Sequence, residues 1–168
     1  MSKNRTKSCV NIDPWKEPIR QALQRMKRSD VHRYCREIYT AFKLFSDASW
    51  PERLGRSCGE DKYHALVSGQ IELWVEVGWP CDAETVEWTL SLTTPARKLL
   101  HWRTELSLVE ARQWTLRGFT SVDPAKIRKL IDAGVTPADY KAAKQAGYSF
   151  ARAVRNPKMV IVAGVLAS

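Results

Sequence analysis

The sequence of 168 residues predicts an all-α protein: a basic N-terminal helical hairpin, then a bundle of short helices joined by Gly-apolar-Ser/Thr turns. Three observations predict it. Apolar residues recur at steps of three and four through much of the chain. Short amphipathic runs open on Asp, Ser or Thr, with Pro next in three of them. A glycine followed by an apolar residue punctuates the chain four times from Gly78 onward, as expected where a left-handed glycine ends a helix.

Residues 1–12, within "MSKNRTKSCVNID", are basic and polar and lack an apolar signal core, so they read as a short mobile tail. The hairpin occupies 13–57. Asp13-Pro14 is a helix start, and Trp15, Ile19, Leu23 and Met26 form one apolar stripe. After Ser29-Asp30 restarts the chain, Val31, Tyr34, Ile38, Phe42 and Phe45 form a second. Ser49 precedes Trp50-Pro51 as a further cap, and the glycine-bearing "PERLGRSCGED" is the best boundary.

Residues 58–168 make the short-helix bundle, one compact unit with the hairpin. Its first segment, "DKYHALVSGQIELWVEVGWP", fits two patterns. Ile71, Leu73, Val75 and Val77 alternate as in a strand, while Tyr63, Leu66, Val67, Ile71, Trp74 and Val75 fit a helix. Its length and the Gly78-Trp79-Pro80 ending favour helix. Five later runs have N-cap residues at Asp82, Thr94, Ser107, Asp123 and Thr136. Gly118-Phe119-Thr120, Gly134-Val135-Thr136 and Gly147-Tyr148-Ser149 repeat the punctuation, and Leu106-Ser107 is a version without glycine. Gly118, Gly134 and Gly147 are 16 and then 13 residues apart, which excludes a regular solenoid. The terminal "MVIVAGVLAS" is β-branched and apolar, a short strand or an arm that docks on a core or a partner.

The net charge of +9 divides into +7 over 1–57, −4 over 58–105 and +6 over 106–168. A basic–acidic–basic pattern suits a nucleic-acid partner, which requires several cations on one face. Arg20, Arg25, Lys27, Arg28, Arg33, Arg36 and Lys43 of the hairpin are the first candidates. The second lies in "LIDAGVTPADYKAAKQAGYS", where Gly134, Val135 and Tyr140 partly match a helix-turn-helix and Lys141 and Lys144 supply cations. Ala143 is small for an anchor, and Leu130 stands where a small residue is expected.

Of seven tryptophans, most fall on apolar stripes, whereas Trp50 and Trp79 stand beside prolines in turns. Exposed Trp is enriched in contact hot spots, so these two, with Val160 and Val162 of the tail, are the candidate protein-contact residues. Four cysteines without a secretory signal imply reduced thiols in a cytoplasmic setting. His32 and Cys35 share a helix face, and Cys58 and His64 follow, but this spacing is not that of a zinc site, so no metal or cofactor is implied. No run approaches a membrane span. The eight glycines are scattered singly, and no phosphate loop or catalytic constellation appears. The leading expectation is a small non-enzymatic protein acting at nucleic acid in a regulatory or accessory role; the alternative is a protein–protein adaptor, inhibitor or assembly protein.

Overall fold

The computed structural model describes residues 10–47 and 62–166, and every regular element among them is helical. The α-helices are α1 (Lys16–Arg25), α2 (Arg36–Ser46), α3 (Lys62–Val77), α4 (Ala83–Ser91) and α5 (Ala96–Glu105), then α6 (Leu108–Leu116), α7 (Pro124–Asp132), α8 (Pro137–Gln145), α9 (Phe150–Arg155) and α10 (Pro157–Leu166). Short 3-10 turns at Asp13–Trp15, Arg28–Asp30 and Arg33–Cys35 precede α1 and α2. The chain divides into two compact units, 1–99 and 100–168, with the division inside α5.

In the first unit α1 and α2 pack as a hairpin, with α3 against α2 and α4 against α1. Trp74 stands in this core, its ring 4.8 Å from Trp15 and 5.5 Å from Phe42. Ile19, Phe45, Val67, Ile71 and Trp88 are buried with it. The 62–77 segment is a helix because Val67, Ile71 and Trp74, at steps of four and three, are buried while Leu73 and Val75 are exposed. A strand would have buried Ile71, Leu73 and Val75 together.

Three local expectations are corrected here. Asp13 opens a 3-10 turn instead of capping α1, and its own N–H donates to the Asn11 side chain at 3.1 Å. Thr94 does not begin a helix: α5 starts at Ala96, and the Pro95 carbonyl accepts from the N–H groups of Lys98 and Leu99. Tyr34 is not on the buried stripe. The 3-10 turn at Arg33–Cys35 winds at three residues per turn and shifts the phase, so Cys35, Tyr39 and Phe42 face inward and Tyr34 faces solvent.

The second unit is built around an aromatic cluster. Trp114 and Tyr140 lie 5.4 and 5.3 Å from Phe119, and Phe150 meets Tyr140 edge-on at 6.3 Å. Beside it α10 packs on α8, and α9 touches α7, α8 and α10. The expected C-terminal strand or arm is thus a helix. Pro157 suits its first position, and no described strand offers an edge for pairing. Burial of Val160 against the unit's core outweighs the β preference of its neighbours. Gly164 makes the approach possible, because a Cβ there would meet the Asp139 carboxylate and lie 2.9 Å from its Cα.

The repeated punctuation is a single joint used four times. Gly78, Gly118, Gly134 and Gly147 all have φ between +79° and +90°. In each, the glycine N–H and that of the next residue donate back to the helix end, as Gly134 to Ile131 at 2.8 Å and Val135 to Leu130 at 2.9 Å. This is the Schellman closure, and it folds the residue after the glycine against the helix it ends. Trp79, Phe119 and Val135 are buried for that reason. Two joints pass directly into the next cap, where Thr136 accepts from Asp139 N–H at 3.2 Å and Ser149 from Arg152 N–H at 3.3 Å. After the other two, Asp82 and Asp123 cap instead.

Gly134→Ala has open space for its methyl group but must hold a left-handed backbone. Chemical denaturation should show a loss of about 1–2 kcal/mol, with no change in helix content. Gly164→Ala should destabilise through a clash instead, and a smaller residue at Asp139 should partly restore it.

Candidate nucleic-acid interface

The seven hairpin cations are all exposed, but they are not equally available. Arg20 is held by Glu17 through two hydrogen bonds of 2.9 and 2.7 Å. That pairing keeps the Glu17 carboxyl below its ordinary range. Arg25 reaches Glu87 of α4 at 3.4 Å. Arg33 lies 4.5 Å over the Tyr34 ring and donates to its hydroxyl at 2.7 Å, and Lys43 sits 4.9 Å over Tyr39. Lys27, Arg28 and Arg36 have no carboxylate at ion-pair distance among the described residues. Arg28 and Arg36 stand at the starts of the first 3-10 turn after α1 and of α2.

In the second unit the balance between signs is different. Lys126 and Lys129 on α7, Lys141 and Lys144 on α8, and Arg152 and Arg155 on α9 are all exposed. Each pair is spaced i, i+3, so each helix shows both of its cations on one face. Two ammonium groups lie against the same aromatic cluster, Lys126 at 5.5 Å over Phe150 and Lys144 at 6.0 Å over Phe119. Arg152 lies 4.4 Å over Tyr148. Four of the unit's five carboxylates are committed elsewhere. Asp123 caps α7, Asp139 closes the capping box of α8, and Glu110 closes that of α6 while holding Arg128 at 2.7 Å. Asp132 lies 3.5 Å from Arg128. None of the six paired cations has a carboxylate partner among the described residues.

Of these six, Lys141 and Lys144 were anticipated from the sequence. Lys126, Lys129, Arg152 and Arg155 were not, although the same i, i+3 spacing is visible in "KIRK" and "RAVR". In the stretch that partly matches a helix-turn-helix, α7 and α8 are joined by four residues, and Leu130, Val135, Tyr140 and Ala143 are all buried. α10 covers the side of α8 that carries Asp139. Ala138, Lys141, Lys144 and Gln145 remain on the open face.

The expected protein-contact residues separate. Trp79 is only 4% exposed, contrary to expectation, and its indole N–H donates to the Ala96 carbonyl at 3.0 Å. Its position after Gly78 puts it inside the first unit. Val160 is fully buried, whereas Val162 is exposed on α10 together with Met159. Trp50 and Cys58 lie outside the described residues. His32 and Cys35 are engaged locally: the His32 Nδ1 accepts from Tyr34 N–H at 3.4 Å, and the Cys35 thiol donates to the Thr89 carbonyl at 3.6 Å. Burial, followed by Arg33, pushes the His32 pKa down, and burial pushes the Cys35 thiol up. His64 meets Ser68 at 3.3 Å on α3. Among the described residues no group of three or more His, Cys, Asp or Glu is placed to hold an ion, and no helix is long and apolar enough to cross a membrane.

Two open clefts lie among the described residues. In the second unit a cleft of about 660 Å³ lies between the end of α6 and the α7–α8 turn, lined by Leu116, Arg117, Ile131 and Pro137. It adjoins the α8 N-terminus, but Asp139 already holds the Thr136 N–H and hydroxyl there at 3.0 and 2.6 Å. In the first unit a cleft of about 390 Å³ opens beside Tyr34.

Fold and surface together define an all-α protein of two compact units, the second carrying paired cations on three successive helices. Comparison with family models, curated proteins and solved structures finds no match to this chain.

Burial raises the Glu110 pKa, but hydrogen bonds from Arg128 and Ser107 outweigh it and hold the carboxyl below its ordinary value. The folded pKa is therefore depressed, and the stability it contributes is present above the unfolded value of about 4.3. That contribution should be lost as pH falls through the folded pKa. Denaturation of Glu110→Gln against pH should show a flatter acid limb than the wild-type chain.

Proposed function

We propose that the protein is a non-enzymatic nucleic-acid-binding protein that holds the phosphate backbone through the paired cations of α7, α8 and α9. The observation that carries this reading is the one-sided charge of the second unit. Lys126, Lys129, Lys141, Lys144, Arg152 and Arg155 are exposed without carboxylate partners among the described residues, while Asp123, Asp139 and Glu110 are held in caps. A cation already neutralised by a neighbouring carboxylate gains little from a phosphate, whereas an unpaired one releases a counterion on binding. Arg28 and Arg36 of the hairpin add to the same attraction, and Arg20 and Arg25 add less because Glu17 and Glu87 hold them. Backbone contacts of this kind position a strand and carry little base specificity.

A second reading has one specific support. Met159 and Val162 are exposed apolar side chains three residues apart on α10, a face suited to another protein. Trp79 no longer supports that reading, because it is core.

The test is fluorescence anisotropy with a labelled oligonucleotide at about 50 and 200 mM salt. Wild-type binding should weaken steeply across that range. Lys141→Glu with Lys144→Glu should reduce both the affinity and the steepness, by close to one unit of slope per lost phosphate contact. Unchanged affinity and slope in this variant would remove α8 from the interface. Met159→Gln with Val162→Gln should leave oligonucleotide binding intact.

A further inference from the structure

We propose that Tyr34 and the cleft beside it seat an unstacked base of single-stranded nucleic acid, with Arg36 at the adjoining phosphate. This rests on the nucleic-acid reading above and adds to it the form of nucleic acid preferred. Tyr34 is 68% exposed, an unusual state for a ring that helical spacing assigns to a core. Its backbone is nevertheless fastened to the protein. His32 N–H donates to the Leu90 carbonyl at 2.9 Å, Cys35 N–H to the His32 carbonyl at 2.8 Å, and the Cys35 thiol to Thr89. The ring is further braced by the His32 imidazole, stacked at 5.4 Å and 29°, and by the Arg33 guanidinium. It is therefore an exposed aromatic surface held in place before any ligand arrives.

The cleft that Tyr34 borders is lined by both apolar and polar side chains. Ile38, Leu73 and Leu92 supply the first, and Gln70, Thr93 and Thr94 the second. A nucleobase has the same division, with an apolar π-face and hydrogen-bonding edges. Stacking on an aromatic side chain is available to every base, but only where the base is not already stacked within a duplex. Arg36 lies two residues after Tyr34 in sequence and is exposed, with no carboxylate at ion-pair distance among the described residues, so a cation accompanies the platform as a strand requires. Among the described residues no acidic side chain lines the cleft.

The experiment compares a single-stranded oligonucleotide, a duplex of the same length and a nucleoside monophosphate, using wild type, Tyr34→Ala, Tyr34→Trp and Lys141→Glu/Lys144→Glu. The exposure of Tyr34 makes the alanine variant compatible with folding, which a thermal melt checks. The expected result is single-strand preference in the wild type. Tyr34→Ala should weaken single-strand binding roughly tenfold to a hundredfold and leave duplex binding unchanged, and Tyr34→Trp should retain it. The Lys141/Lys144 variant should weaken both strand forms. If the wild type binds both forms with a steep salt dependence and Tyr34→Ala alters neither, the base site is overturned while the phosphate reading stands. If a monophosphate binds at Tyr34 as tightly as the strand, the site is one for free nucleotides and the strand proposal fails. Binding of no nucleic acid even at low salt overturns both.

Discussion

The architecture depends on one local constraint, the requirement that every short helix stop and turn without leaving backbone groups unpaired. A helix of nine or ten residues has more terminal orphan groups than internal hydrogen bonds. Here a left-handed glycine satisfies the last carbonyls, and an Asp, Ser or Thr accepts from the first N–H groups of the next helix. The same joint turns its apolar residue back, so Trp79, Phe119 and Val135 are simultaneously part of a turn and part of a core. Secondary structure and packing are thereby coupled at each joint.

This economy shapes the surface as well. The helix starts draw in carboxylates because the N-terminal end of a helix favours negative charge. In the second unit Glu110, Asp123 and Asp139 are held in that way, and Arg128 gathers Glu110 with Asp132. Lys126, Lys129, Lys141, Lys144, Arg152 and Arg155 then face solvent without a carboxylate partner among the described residues. The positive surface arises from where the acids are fixed as much as from how many bases there are.

Much of this was legible in the sequence, and the failures have specific causes. The glycine joints and four of the five caps could be read because each is a local device with its own residue types. The burial of Trp79 follows from the joint itself, yet the neighbouring Pro80 suggested an exposed turn. Tyr34 was misplaced because a 3-10 turn breaks the helical phase just before α2, and no residue type marks that break. The terminal helix was hidden by its β-branched composition, since what makes it helical is the tertiary contact of Val160 and Gly164 with the rest of its unit. Arg128 could not be distinguished from its neighbours, because its partners Glu105 and Glu110 are about twenty residues away.

The two units also differ in how far along the chain their partners lie. In the second, α8 meets α10 across a short stretch, and α9 lies between them in sequence. In the first, α1 closes on α4, and contacts such as Arg25 with Glu87 and His32 with Leu90 span roughly sixty residues. Bringing distant segments together costs chain entropy before any contact compensates, so topology sets the folding rate. The tryptophan-rich unit, although it has the larger apolar core, should therefore be the slower to assemble, with the hairpin waiting for α4 before its inner face is covered.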